Sequence, residues 1–239
     1  MLIIGICVLV LLAVFSSGCF EEDEEEKEEE EEEEAQDIDG DGVPDSEDDF
    51  PSNGQWSAIL EVTKINWSTN ENRGTTTYWE FKNNKSYSIN VMKGTITLFY
   101  DDSTTFSWGK EIWKNGILGS GEKGVANGYI YTVEEKNVSY AEVEVKGKKG
   151  GGNYSRPDVE IESEEFTGEW VYAYIKNNEA VDVNIEIGVA YFNAKGELLE
   201  TSEPGSLDTI GPGETKRFGK MTGKEGVTTF NVHIIWGPY

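Results

Sequence analysis

Seven acids and no base stand between Asp37 and Asp49, in the order Asp-Ile-Asp-Gly-Asp-Gly-Val-Pro-Asp-Ser-Glu-Asp-Asp. Counted from Asp37 as position 1, carboxylates fall at positions 3 (Asp39), 5 (Asp41), 9 (Asp45) and 12 (Asp48). Gly42 holds position 6, where the chain must turn sharply, and a backbone carbonyl is due from Val43 at position 7. Hard oxygen donors at this spacing suit Ca²⁺, which takes several oxygens in a flexible shell. Without a cation these carboxylates would repel one another. The expected metal set is therefore Asp37, Asp39, Asp41, Val43, Asp45 and Asp48, against the plainer alternative of an acidic linker.

The rest of the chain is poor in catalytic groups, and the expectation is that it is no enzyme. The single histidine, His233, sits in the apolar run Phe230–Trp236, with no nucleophile-elbow glycine pattern to accompany it. Glu164-Glu165 is the kind of carboxylate pair that glycoside hydrolysis uses, but so acidic a chain contains such pairs by composition alone. Gly150-Gly151-Gly152 precedes no helix and lacks a phosphate-loop lysine. Aromatic residues offer a binding chemistry instead. Trp67, Tyr78, Trp79, Trp108 and Trp113 lie in turn-rich β sequence, and flat rings match the C–H faces of sugars. Core filling is the competing role for them. Tyr78 and Trp79 are adjacent, so in a strand they face opposite sides.

The elements that hold these residues begin at the N-terminus. Leu2–Phe15 is apolar and uncharged, shorter than a spanning helix, and ends in Ser16-Ser17-Gly18-Cys19. That junction resembles the lipobox of secreted lipoproteins. The resemblance implies cleavage before Cys19, lipid on its thiol and residence on the extracytoplasmic face of the membrane. The segment carries no lysine or arginine, unlike most signal peptides. Retention as an uncleaved anchor therefore stays open beside cleavage and lipidation. Cys7 lies in the removed part, so the mature chain would own one cysteine and no internal disulfide.

Glu21–Glu34 holds thirteen acids against one lysine, a like-charged block that self-repulsion extends into a spacer. Much of the net charge of −26 sits in this block and the Asp37–Asp49 stretch. From Phe50 onward the chain carries 26 acids and 19 bases, with no basic stripe, so nucleic acid is excluded as a partner. The 37–51 stretch has the ligand spacing of an EF-hand loop, but Pro44 and Pro51 favour extended chain and no helix follows. It resembles a thrombospondin type 3 repeat, which implies calcium packed with little regular structure, here stiffening the joint between spacer and domain.

Beyond Pro51, Val, Ile, Thr, Tyr and Trp alternate with polar residues between Gly and Asn turns, the pattern of half-buried strands. Val181, Val183, Ile185, Ile187, Val189 and Tyr191 share one strand face, and Asn193-Ala194-Lys195-Gly196 reads as a hairpin turn. The region also repeats itself. Phe81-Lys82-Asn83-Asn84 matches Ile175-Lys176-Asn177-Asn178, and Leu118-Gly119-Ser120-Gly121-Glu122 matches Ile210-Gly211-Pro212-Gly213-Glu214. Leu98-Phe99-Tyr100 and Val143–Gly147 find counterparts at Ala190-Tyr191-Phe192 and His233–Gly237. The expected fold is all-β, two tandem immunoglobulin-like β-sandwiches after a disordered acidic tether.

The second copy resembles the FxLYD-like family through Val171–Asn178, Val189-Ala190-Tyr191-Phe192, Gly196–Leu199, Ile210–Glu214 and Phe218. The resemblance implies a cell-surface sandwich without catalysis. The first copy departs from it, with Asp101-Asp102-Ser103 at the Asn-x-x-Gly turn. The expected boundaries are a signal peptide at 1–18, a lipid-attached acidic linker at 19–36, the calcium repeat at 37–51, sandwiches at 55–147 and 158–239, and a linker at 148–157. Sequons at Asn66, Asn84, Asn137 and Asn153 offer glycosylation if the chain is exported. The partner is expected to be a surface protein or a glycan.

Overall fold

A computed structural model of the chain describes residues 35–70, 74–112, 117–131, 136–150, 156–202 and 208–236. The apolar leader, Cys19, the acidic block, Trp113 and Asn153 lie outside the described residues. Among the described residues there is no helix, and every strand pairing is antiparallel.

The fourteen strands among the described residues form two sets of seven. The first set is β1 (Ala58–Asn70), β2 (Gly74–Lys82), β3 (Ile89–Tyr100), β4 (Thr105–Glu111), β5 (Ile117–Leu118), β6 (Lys123–Tyr131) and β7 (Val138–Lys149). The second is β8 (Val159–Phe166), β9 (Trp170–Asn177), β10 (Val183–Phe192), β11 (Leu198–Ser202), β12 (Asp208–Ile210), β13 (Thr215–Met221) and β14 (Thr229–Trp236). Pairings in the two sets correspond strand for strand. In the first, β2 lies between β1 and β6, while β3 pairs with β4, β5 and β7. In the second, β9 lies between β8 and β13, while β10 pairs with β11, β12 and β14.

Each set is thus a seven-stranded, immunoglobulin-like sandwich, with one difference between them. In the first, β1 bends at a bulge between Val62 and Lys64, and its opening residues Ala58–Leu60 pair with β7. That bend joins both layers into one continuous sheet. β7 runs to Lys149, so Lys148 and Lys149 belong to the first sandwich and not to the expected 148–157 linker.

The internal repeat has a physical cause, visible at Asn83 and Asn177. Both are fully buried. Asn83 Nδ2 donates to the carbonyls of Tyr87 (2.8 Å) and Leu118 (3.0 Å), and its Oδ1 accepts from Lys85 N (2.9 Å). Asn177 Nδ2 donates to the carbonyls of Val181 (2.8 Å) and Ile210 (2.9 Å), and its Oδ1 accepts from Glu179 N (2.9 Å). The matching Gly-x-Gly-Glu turns close on them. Gly121 N donates to Asn83 O and Gly213 N to Asn177 O, while Glu122 and Glu214 accept from Gly119 N and Gly211 N. In each copy one side chain satisfies loop carbonyls that burial would otherwise leave unpaired.

Each sandwich has its own core. Trp79, Phe81, Ile89, Ile96, Leu98 and Leu118 are fully buried in the first, and Ile175, Ile185, Ile187 and Tyr191 equally so in the second. The alternation read from the sequence holds over Val183–Tyr191, but Val181 lies outside the strand and is exposed. The opposite face of β10 is buried as well, because Ala190, Phe192 and Leu198 pack with Tyr78 and half-buried Val125 of the first sandwich. Tyr78 meets Phe192 edge-on (ring centroids 5.8 Å, 85°) and lies 6.1 Å from His233. His233 lies across Gly188 in the paired strand. A Cβ on Gly188 would stand 2.2 Å from the imidazole Nε2, so only glycine admits the ring there. The two outer sheet faces therefore make a third apolar layer, with His233 at its edge.

Candidate metal centre

The 37–51 loop is shaped by its own carboxylates. Asp37 takes Gly40 N on Oδ1 (2.8 Å) and Gly42 N on Oδ2 (2.9 Å). Asp39 Oδ1 accepts from Asp41 N (3.2 Å) and Asp41 Oδ1 from Val43 N (2.9 Å). Gly40 and Gly42 adopt positive φ (71° and 86°), the left-handed conformation that only glycine enters freely. These turns bring one carboxylate oxygen from each of Asp37, Asp39 and Asp41 within 4.8 Å of one another, a cluster that could hold a metal ion.

The remaining expected ligands are placed differently. Asp45 Oδ1 accepts from Ile38 N (2.9 Å) and Asp45 N donates to Gln36 O (2.7 Å), which closes the loop. The Val43 side chain is buried and serves as the loop's apolar anchor. Asp48 is buried, with Oδ1 accepting from Phe50 N at 2.6 Å. Burial first, and then the charges of Asp41, Asp39 and Asp49, raise its pKa above the ordinary carboxylate value. Asp48 Oδ2 and Asp39 Oδ2 are both buried without a hydrogen-bond partner. Asp39, a member of the three-carboxylate cluster, thus carries one buried, unpartnered oxygen, and the cluster is a hard donor set that a hard cation fits; Asp48 stands outside it but feels the charges of Asp39 and Asp41.

Four residues outside the loop seat it on the first sandwich, and nothing in the loop's spacing announces them. Ser57 Oγ donates to Asp41 Oδ2 and accepts from Lys149 N (3.1 Å). Lys149 Nζ donates to Gly42 O across 107 residues of chain. Lys85 Nζ pairs with Asp49 (2.8 Å) and donates to Glu47 O (3.2 Å). Tyr87 donates to Ser57 O (3.2 Å), and its pKa is pushed up to about 12 by burial and by the charges of Asp48, Asp49, Asp41 and Glu47.

Of the five expected glycan contacts, Tyr78 and Trp79 are covered and Trp113 lies outside the described residues. Trp79 is fully buried in the first core, with Nε1 donating to Thr77 Oγ1 (3.1 Å). Tyr78 points to the opposite face, as strand geometry requires, but the second sandwich covers its ring completely. Trp67 and Trp108 are half-buried against the first core, and Trp67 Nε1 donates to Val138 O (3.4 Å). Among the sequons, Asn84 and Asn137 are exposed. Asn66 stands opposite Tyr78 on the face that meets the second sandwich, half-buried with its Oδ1 buried, and is a poor glycan acceptor for that reason. Glu164 and Glu165 oppose Ala173 and Tyr172, so they point to opposite faces of the strand and cannot act as a pair.

No protein-family model and no curated protein matches the chain. Among solved structures it is similar, at 11% identity and TM-score 0.20, to a calcium binding mutant of Bacteroides uniformis beta-glucuronidase 2. That match covers 75% of this chain and 24% of the other. A beta-glucuronidase from glycoside hydrolase family 2 matches at 11% identity and TM-score 0.17, over 73% of this chain and 21% of its own. The chain spans about a quarter of the length of these proteins. Likeness of this degree carries no argument about activity.

Proposed function

We propose that the protein is a non-enzymatic, calcium-binding lipoprotein that presents two β-sandwiches on the extracytoplasmic face of a membrane. Cys19 carries the lipid, the acidic block is the flexible spacer, and the 37–51 loop is the stiff joint to the first sandwich. The partner it presents to is a surface protein or an envelope component. The observation that carries the reading is the Asp37–Asp39–Asp41 cluster with its buried, unpartnered Asp39 Oδ2, whose charge is felt by buried Asp48. Asp37, Asp39, Asp41 and Asp48 would hold Ca²⁺, whose charge offsets their mutual repulsion, while Ser57, Lys85 and Lys149 tie the loop to the sandwich. An affinity of about 10⁻⁴–10⁻³ M fits an extracellular module of this kind.

Calorimetric titration of Ca²⁺ into chelator-treated protein should give one saturable site, and Ca²⁺ should protect residues 37–51 from proteolysis. Absence of binding heat together with identical cleavage in Ca²⁺ and in chelator would refute the calcium reading. Intact mass of the membrane-extracted form tests the anchor separately. A chain beginning at Cys19 with added acyl mass supports it, and an unmodified chain beginning at Met1 refutes lipidation.

A further inference from the structure

Two clefts open where the sandwiches meet, and their chemistries differ. One, of about 510 Å³, is lined by Lys123, Arg156, Glu122 and Asp158 around His233. Its ions face each other: Arg156 lies 3.7 Å from Glu122 and also donates to Lys123 O (3.1 Å). It holds no aromatic face besides the buried imidazole.

The other, of about 570 Å³, lies at the opposite end of β6. Tyr129 and Tyr131 form one wall, with Ser68, Thr76, Glu200 and Lys224 among the groups around them. We propose that this second cleft is a binding site for a short neutral oligosaccharide, plain or N-acetylated. The proposal is independent of the calcium and lipid readings and uses none of their residues.

Strand register builds the site. Ser68, Thr76 and Tyr129 form one row across β1, β2 and β6, and Gly74 stands opposite Tyr131 in the next. All lie on the face whose centre is sealed by Tyr78 and Phe192, so the cleft is the open margin of that contact. Tyr129 is laid over Gly74, where a Cβ would fall 1.8 Å from the tyrosine oxygen. A side chain at position 74 would evict the ring. Tyr131 meets Tyr129 edge to face (4.7 Å, 77°) and is itself 79% exposed, a large aromatic side chain left almost entirely in water.

The polar groups suit a sugar better than other ligands. Ser and Thr hydroxyls both donate and accept, as sugar hydroxyls do, while Glu200 only accepts and Lys224 only donates. Glu200 Oε2 is held by Thr222 Oγ1 (3.1 Å) and Gly223 N (3.0 Å), so the carboxylate is positioned before any ligand arrives. A single carboxylate balanced by a single lysine disfavours polyanions. The volume lies in the range of sites that enclose a small ligand, and the rings supply the flat apolar contact that sugar C–H faces need.

The test uses the full chain with cello-, xylo-, manno- and chito-oligosaccharides, and oligogalacturonate as the acidic control, read by saturation-transfer NMR and calorimetry. At least one neutral or N-acetylated series should bind while oligogalacturonate does not. Tyr131→Ala, at an exposed position and without effect on thermal unfolding, should weaken binding by about tenfold. Gly74→Ala, which displaces Tyr129, should weaken it further. Failure of all four series to bind, unchanged affinity in Tyr131→Ala, or preferential binding of oligogalacturonate would each overturn the proposal.

Discussion

His233 makes the contact between the sandwiches sensitive to acid, and the effect can be worked out. Burial pushes its pKa down to about 4, with the charge of Lys110 adding to the shift and the Asn231 backbone partly opposing it. Its Nδ1 is buried without a hydrogen-bond partner, and the ring is wedged between Gly188 and Tyr78. The folded protein therefore holds His233 neutral, whereas an unfolded chain takes up a proton near the ordinary value of 6.5. Below that value the unfolded state binds more protons, so stability falls with pH until the folded pKa is reached. From about pH 7 to pH 5 the loss is about 2 kcal/mol, and complete titration would bring it to roughly 3 kcal/mol. Urea unfolding of the wild type and of His233→Gln across that interval isolates the effect, since the carboxylates are common to both. The wild-type stability should fall more steeply by about that 2 kcal/mol. Parallel curves would show that the imidazole is not held neutral by burial, and the packing argument would fail with them.

Two further outcomes are expected. Asn83→Ala and Asn177→Ala should each destabilise their own sandwich by roughly 2–4 kcal/mol, because each strands loop carbonyls in the interior. Chemical denaturation measures this, and a loss below about 0.5 kcal/mol at either site would contradict the buried-bond reading. Asp48→Asn should act oppositely with and without calcium. The raised pKa means that the ionised carboxylate opposes folding at neutral pH, so the metal-free variant should melt higher than the wild type. Its rise in melting temperature on adding Ca²⁺ should be smaller than the wild-type rise. Equal calcium-dependent shifts in both proteins would remove Asp48 from the ligand set.

Much of this fold is legible in the sequence because its determinants are local or repeat at fixed spacing. The period-two alternation over Val183–Tyr191 marks one buried face whatever the strand packs on, and the all-β class follows from many such stretches. Asn83 and Asn177 with their Gly-x-Gly-Glu turns are legible as a repeat because one hydrogen-bond pattern demands the same residues twice. The carboxylates of Asp37, Asp39 and Asp41 converge through turns within a few residues, so their spacing alone announces a cluster. The groups that seat the loop follow no such rule. Ser57 is close in the chain but outside the loop's spacing, and Lys149, 107 residues from its acceptor, reaches it only because β1 and β7 pair.

The aromatic residues divide along the same line. Alternation places Tyr78 and Trp79 on opposite faces, but whether the outer face meets water or protein depends on a second domain. Docking of Ala190, Phe192 and Leu198 closes over Tyr78, while Tyr131, four pairs along the same sheet edge from Asn127, stays in solvent. The sequence by itself determined the strands, the repeat and the acidic turn, because backbone periodicity and short-range hydrogen bonds need no distant partner. Only the tertiary structure decided which rings are covered and which carboxylate is buried, because burial is a property of two surfaces brought together.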